Sequence, residues 1–149
     1  MQKRIAALGL DLGTKRIGVA GCDGLGITVT GLTTINRTSW QRDLTELRYW
    51  VEERRAEILV IGLPYRLDGS LGSQAEKTQK LAEKISAALQ LPIAYVDERL
   101  TSFEAEEMMR DQGVRVMDNK AMIDRKAAAI ILQQWLKDTA PERQGQNSL

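Results

Sequence analysis

The sequence contains no histidine. That absence excludes Ser-His-Asp and Cys-His nucleophilic catalysis, imidazole zinc sites and any histidine general base. The one cysteine, Cys22, permits neither an intrachain disulfide nor a cysteine-rich metal site. Its apolar surroundings read as those of a buried small hydrophobe. Chemistry must then run on carboxylates, Lys, Arg, hydroxyls, the thiol or a metal. Three acidic positions stand out. Asp11 closes an apolar run just before Gly13, Asp97 and Glu98 close another, and Asp124 lies beside Ala127, Ala128 and Ile131 on an amphipathic stretch. Brought to one place, they would offer hard oxygen ligands of the kind Mg²⁺ or Mn²⁺ requires. Such an ion activates water and stabilises charge on a phosphodiester. Each residue also has a plainer reading. Asp11 can form a turn, one of Asp97 and Glu98 can precede a helix or join an ion pair, and Asp124 can pair with Lys120 one turn earlier.

The elements that must position these residues follow from periodicity. Residues 4–12 and 15–22 are rich in Ile, Leu, Val and Ala, with Gly13 and Thr14 between them, and read as two strands joined by a tight turn. Residues 26–35 carry β-branched side chains after the Asp23-Gly24 turn signal and read as a third strand. Links this short force antiparallel neighbours, because a parallel crossover takes a dozen or more residues. Trp40, Leu44, Leu47 and Val51 recur at helical spacing, so residues 39–54 form a helix capped by Thr38 or Ser39. Ile58–Ile61 is a continuous apolar run, as in a strand covered on both faces, and ends at Gly62-Leu63-Pro64.

A polar loop, Tyr65 to Gly72, follows. Ser73 with Glu76 reads as a capping box opening a helix whose buried stripe is Leu81, Ile85, Ala88 and Leu89. Pro92 opens a strand over Ile93–Val96. Thr101 or Ser102 begins a further helix that Gly113 stops, and a last helix runs from about Asn119 to Lys137. Three antiparallel strands followed by strand–helix alternation require a mixed sheet with helices on its faces. The first strand should be central. The first, fourth and fifth strands would run parallel and open their carboxyl ends on one edge, where open α/β sheets bind ligands. The loop from Tyr65 to Gly72 leaves the sheet at that edge, either as a plain connection or as a segment closing on substrate.

Composition narrows the class. The 149 residues suit one domain that buries about two thirds of its extended surface. Twenty-one Lys and Arg against 20 Asp and Glu exclude a strongly basic nucleic-acid coat, though not an enzyme with one basic patch. Asp11 cuts short the apolar run that begins at Ile5, so the start does not read as a signal peptide, and no stretch is long enough to span a membrane. The expected location is the cytoplasm. Asp11-Leu12-Gly13-Thr14 looks like the first phosphate loop of actin-like and sugar-kinase ATPases, but those need two large lobes. No glycine-rich run ends in Gly-Lys-Ser/Thr, which excludes a P-loop.

Asp11-Leu12-Gly13-Thr14-Lys15-Arg16-Ile17-Gly18-Val19-Ala20, Ile61-Gly62-Leu63-Pro64, Asp68-Gly69-Ser70 and Asp97-Glu98-Arg99-Leu100-Thr101 together resemble the YqgF (RuvX) family. Ala128-Ala129-Ile130-Ile131-Leu132-Gln133 after Asp124 completes a likeness running from residue 5 to about 136. The resemblance implies an α/β, ribonuclease H-like fold with a five-stranded mixed sheet ordered 3-2-1-4-5. It implies a nuclease that resolves Holliday junctions or matures the 5′ end of the small-subunit ribosomal RNA precursor. By position, Asp11 becomes the first-strand metal ligand and Asp124 the last-helix ligand. Glu98 is the middle acid, with Asp97 in reserve, and Mg²⁺ or Mn²⁺ the cofactor. Arg16 and Arg99 flank the site, while Arg66, Arg115 and Arg125 are further candidates to clamp phosphates. Gly13, Gly18, Gly62 and Gly69 are structural glycines near it. The expected organisation is a nuclease domain over residues 1–138 with a polar, flexible tail over 139–149, acting as a monomer or weak dimer on nucleic acid. The rival expectation is a non-catalytic nucleic-acid-binding module of the same fold.

Overall fold

The computed structural model describes residues 5–22, 28–65, 68–97 and 120–145. Its strands are β1 (Ala7–Leu12), β2 (Arg16–Cys22), β3 (Val29–Asn36), β4 (Ile58–Leu63) and β5 (Ile93–Asp97). Its helices are α1 (Trp40–Arg54), α2 (Ser73–Leu89) and α3 (Lys120–Gly145). The helix expected between Thr101 and Gly113 lies outside the described residues. One sheet holds all five strands in the order β3-β2-β1-β4-β5. The meander β1–β2–β3 is antiparallel, while β1–β4 and β4–β5 are parallel, as the connection lengths require.

Alternation along the strands divides the core in two. Leu8, Leu10, Leu12, Ile17, Val19, Leu59 and Ile61 face α1 and α2, where they meet Leu47, Ala82 and Ile85. Ala7, Ala20, Cys22, Val60 and Val96 face α3 and pack on Ala128, Ile131, Leu132, Trp135 and Leu136. Each fully buried Leu or Ile contributes about 1.5–3 kcal/mol by leaving water.

Ser39 caps α1, its hydroxyl accepting the Arg42 N–H at 3.3 Å. Asp43 Oδ1 accepts the Thr38 N–H at 3.2 Å, which pins the entry to the helix from the other side. The expected capping box at Ser73 does not form. Gly72 is the N-cap in extended backbone and offers no side chain, so Ser73 becomes the first helical residue. The fully buried line of α2 is Ala75, Thr78, Ala82 and Ile85; of the expected stripe, Ile85 is fully buried and Leu81 and Leu89 pack half-buried along its edge. Small residues let the helix settle closer on that line, and the buried Thr78 hydroxyl is satisfied by donating to Gln74 O at 3.0 Å. Helix α3 continues through Pro141 to Gly145 instead of ending near Lys137, although proline brings no N–H to the ladder.

Candidate active site

The carboxyl ends of β1, β4 and β5 share one edge, and a single cross-sheet row there organises the site. Asp11 on β1 pairs in register with Gly18 on β2, and Gly18 with Thr34 on β3. All three lie on the α3 face. Gly31, opposite Ala20, lies there too, although three residues separate it from Thr34 and strict alternation would put them on opposite faces. The register shifts between Val19 and Ala20, leaving Leu32 as the extra residue of a β-bulge, and this restores the phase.

The first turns of α3 cross that row. Thr34 donates its hydroxyl to Ala121 O at 2.6 Å. At Gly18 the helix is so close that an added Cβ would stand 2.0 Å from Asp124 O and 2.5 Å from its carbonyl carbon. At Gly31 a Cβ would sit 3.2 Å from Arg125 Cβ, and at Gly9 2.8 Å from Ala128 O. Glycines on three neighbouring strands therefore bring α3 down onto the sheet, and the backbone of Asp124 rests on the register partner of Asp11. Two of the acidic positions marked in the sequence are brought to one edge and one face.

Arg16, two residues before Gly18 and on the same face, donates from Nε to Asp124 Oδ2 at 2.6 Å. This ion pair is about one quarter exposed, with side chains at 31% and 20%. The plainer sequence reading pairs Asp124 with Lys120, whose side chain lies outside the described residues; among those described its partner is Arg16, 108 residues away. Arg16 is engaged with a carboxylate. On β1's other flank, Leu10 pairs with Ile61, so Asp11 lies next to Gly62 as well as Gly18. Both lateral neighbours of this carboxylate lack a side chain.

On β5, Val96 faces α3 and pairs with Gly62, so its neighbours Tyr95 and Asp97 leave on the opposite face. Burial, then Glu83 and Tyr65, push the Tyr95 phenol above its ordinary range, which keeps it a neutral donor. Asp97 does not share the face of Asp11 and Asp124. Glu98 lies outside the described residues, as do Arg66, Arg99 and Arg115. Among the described residues no group of three potential ligands comes together.

The remaining positions are distributed as follows. Arg125 lies towards β3, where it lines a cleft of about 420 Å³ with Lys126 and Gln133. Gly13 closes the β1–β2 turn, its N–H donating to Arg16 O at 2.9 Å. Gly69 has φ 87°, a conformation L side chains resist, inside an Asx turn in which Ser70 donates twice to Asp68 Oδ1. Two positioning residues escaped the sequence reading. Thr34 anchors α3, and Arg37 donates to Gly13 O at 2.9 Å and Thr14 O at 3.3 Å, bracing the turn after Asp11. Neither leaves a local signal, because a Thr in a strand and an Arg after one are commonplace. Among the described residues no helix is long and apolar enough to cross a membrane.

Comparison with known proteins places the family and the fold. The family model described as RuvX, Holliday junction resolvase, matches residues 5–138. A candidate pre-16S rRNA nuclease of Acaryochloris marina is 60% identical over 134 residues, covering 90% of this chain and 93% of that protein. Its counterpart in Synechococcus elongatus is 62% identical over 138 residues, covering 93% of each. Thermus thermophilus RuvC bound to a Holliday junction superimposes with TM-score 0.54 at 12% identity, covering 93% of this chain and 96% of that one. The yeast mitochondrial Holliday junction resolvase Ydc2 superimposes with TM-score 0.53 at 13% identity, covering 99% and 84%. At such identities the structures share the fold, which is the ribonuclease H-like one.

Proposed function

The chain belongs to the RuvX family of Holliday junction resolvases, and from that membership we propose a divalent-metal-dependent nuclease that hydrolyses phosphodiester bonds in structured nucleic acid. The observation that carries the reading is the contact of the Asp124 backbone on Gly18, the register partner of Asp11. Asp11 and Asp124, with Glu98 as third acid and Asp97 in reserve, would hold Mg²⁺ or Mn²⁺. The donor set suits a hard cation, being carboxylate oxygen with no imidazole in the chain. When bound, the ion supplies an acidified water and a counter-charge for the scissile phosphate.

The chain's own residues do the rest. Asp11 closes a central strand whose preceding residues are wholly buried, which holds its carboxylate steady against the substrate. Arg16 fixes Oδ2 of Asp124, orienting that carboxylate across the row. Arg66, Arg99 and Arg125 would contact phosphates and set the register of the strand. We favour the 5′ region of the 16S rRNA precursor over branched DNA. The relatives at 60–62% identity are named as pre-16S rRNA nucleases, whereas branched DNA enters through the family model's description and a junction-bound structure at 12% identity. The protein would work in the cytoplasm as a monomer or weak dimer.

The test offers a 5′ precursor rRNA fragment and a four-way DNA junction to the purified chain with Mg²⁺, Mn²⁺ or chelator. Metal-dependent cutting of the RNA is expected, and Asp11→Asn should reduce it to background while thermal unfolding stays put. Binding without cutting under every metal would leave the non-catalytic module instead.

A further inference from the structure

On the opposite face of the sheet from Asp11 and Asp124, a cleft of about 310 Å³ opens between the β1–β2 turn, α1 and α2. That volume lies at the lower end of the range for small-ligand pockets. Ile17, Leu47 and Ile85 form part of an apolar wall, and Trp40 stands at the entry to α1. Lys84 and Arg37 bring positive charge to the same cleft.

The distinctive group is Asp43. It is 8% exposed and lines the cleft, yet its only hydrogen bond among the described residues is the Thr38 N–H at Oδ1. A carboxylate can accept about four, and a buried acceptor with unused capacity is costly. Neither nearby cation closes an ion pair with it. The Lys84 ammonium lies 4.1 Å from the Trp40 ring centroid, and Arg37 is spent on the carbonyls of Gly13 and Thr14.

We propose that this cleft binds one unpaired guanine nucleotide of the nucleic-acid strand, a reading that rests on the proposed action on nucleic acid. Guanine alone among the common bases presents two adjacent donors, N1–H and the 2-amino group, and one carboxylate can accept both. The flat ring fits the apolar wall beside Trp40, as splayed bases do on aromatic side chains. Lys84 is exposed, and when a base takes its place at Trp40 its ammonium can swing out to the attached phosphate. The route is short as well. Thr14, which lines the cleft, is three residues after Asp11, so a strand cut at the carboxylate edge need only cross the β1–β2 turn to reach it.

The chain has three tryptophans and hence three indole N–H signals, of which Trp40→Phe identifies one. Full-length protein without added metal is titrated with guanosine monophosphate and with inosine monophosphate, which lacks the 2-amino group. The Trp40 signal should move saturably, with the inosine nucleotide binding at least about 3-fold more weakly. Asp43→Asn should abolish that discrimination, and Lys84→Gln, at an exposed position, should weaken both nucleotides by about 3- to 10-fold. A Trp40 signal unmoved by millimolar guanosine monophosphate overturns the site. So does discrimination that survives Asp43→Asn, or wild-type affinity in Lys84→Gln. Cleavage of RNA by a protein whose Trp40 stays silent would sink this site alone. A responsive Trp40 in a protein that cuts nothing would sink the nuclease alone.

Discussion

The two faces of the sheet are built on opposite principles. Towards α1 and α2 the strands present Leu8, Leu10, Leu59 and Ile61, all fully buried, and the helices stand off on that aliphatic layer. Towards α3 they present Gly9, Gly18 and Gly31, and the helix backbone comes down to them. A thick layer of branched side chains maximises the apolar area removed from water. A glycine-bearing face gives up that area for proximity, which brings a helical residue to the end of a neighbouring strand. The first face stabilises the domain, and the second aligns the chemistry.

The strongest way to break the contrast is Gly18→Ala. The new methyl group has no space against the Asp124 carbonyl, so the start of α3 must lift. We expect a cost of about 3 kcal/mol from overpacking and a fall in cleavage on the order of 100-fold from displacing Asp124. Thermal unfolding together with turnover checks both, and wild-type turnover would show that Asp124 is not needed at its present height. Leu59→Ala probes the other face. It should cost about 3 kcal/mol through the cavity it leaves, while cleavage per folded molecule is unchanged; a parallel loss of turnover would erase the division of labour. The smallest effect sharpens the picture at the rim of the aliphatic face. Arg55 and Gln90 end α1 and α2 with φ of 52° and 56°, a left-handed conformation glycine adopts without cost. Gln90→Gly should gain about 0.5–1 kcal/mol in denaturant unfolding with no change in activity.

Much of this was legible in the sequence because it is local. The short links of the meander dictate antiparallel pairing, the apolar run of β1 places it inside, and Ser39 signals the start of α1. Asp11 and Asp124 could be marked because a carboxylate at a strand end or on a core-facing helix is out of keeping with its neighbours. What stayed hidden is non-local or a matter of phase. Nothing near Arg16 shows that Asp124 is its partner, since the two meet only when α3 docks. The bulge at Leu32 shifts Gly31 and Thr34 onto one face, and Gly31 beside it is a single glycine in a strand pattern that does not by itself fix the phase. On α2 the bulk of Leu81 and Leu89 outweighed the small residues Ala75 and Ala82, which are the more deeply buried.

The docking of α3 also sets when the proposed pair of carboxylates comes together. Asp11 and Asp124 are more than 100 residues apart along the chain. At roughly 5–20 residues per second, a ribosome takes on the order of 5–20 s to travel between them. Throughout that interval β1, β2 and β3 can pair through neighbouring segments, while the glycine row remains uncovered and Asp11 lacks its counterpart from α3. A nascent chain therefore acquires its fold's first sheet well before it acquires a complete pair of carboxylates. With Asp11 and Asp124 in the roles proposed for them, nuclease activity would be withheld from incomplete copies by the order of synthesis alone.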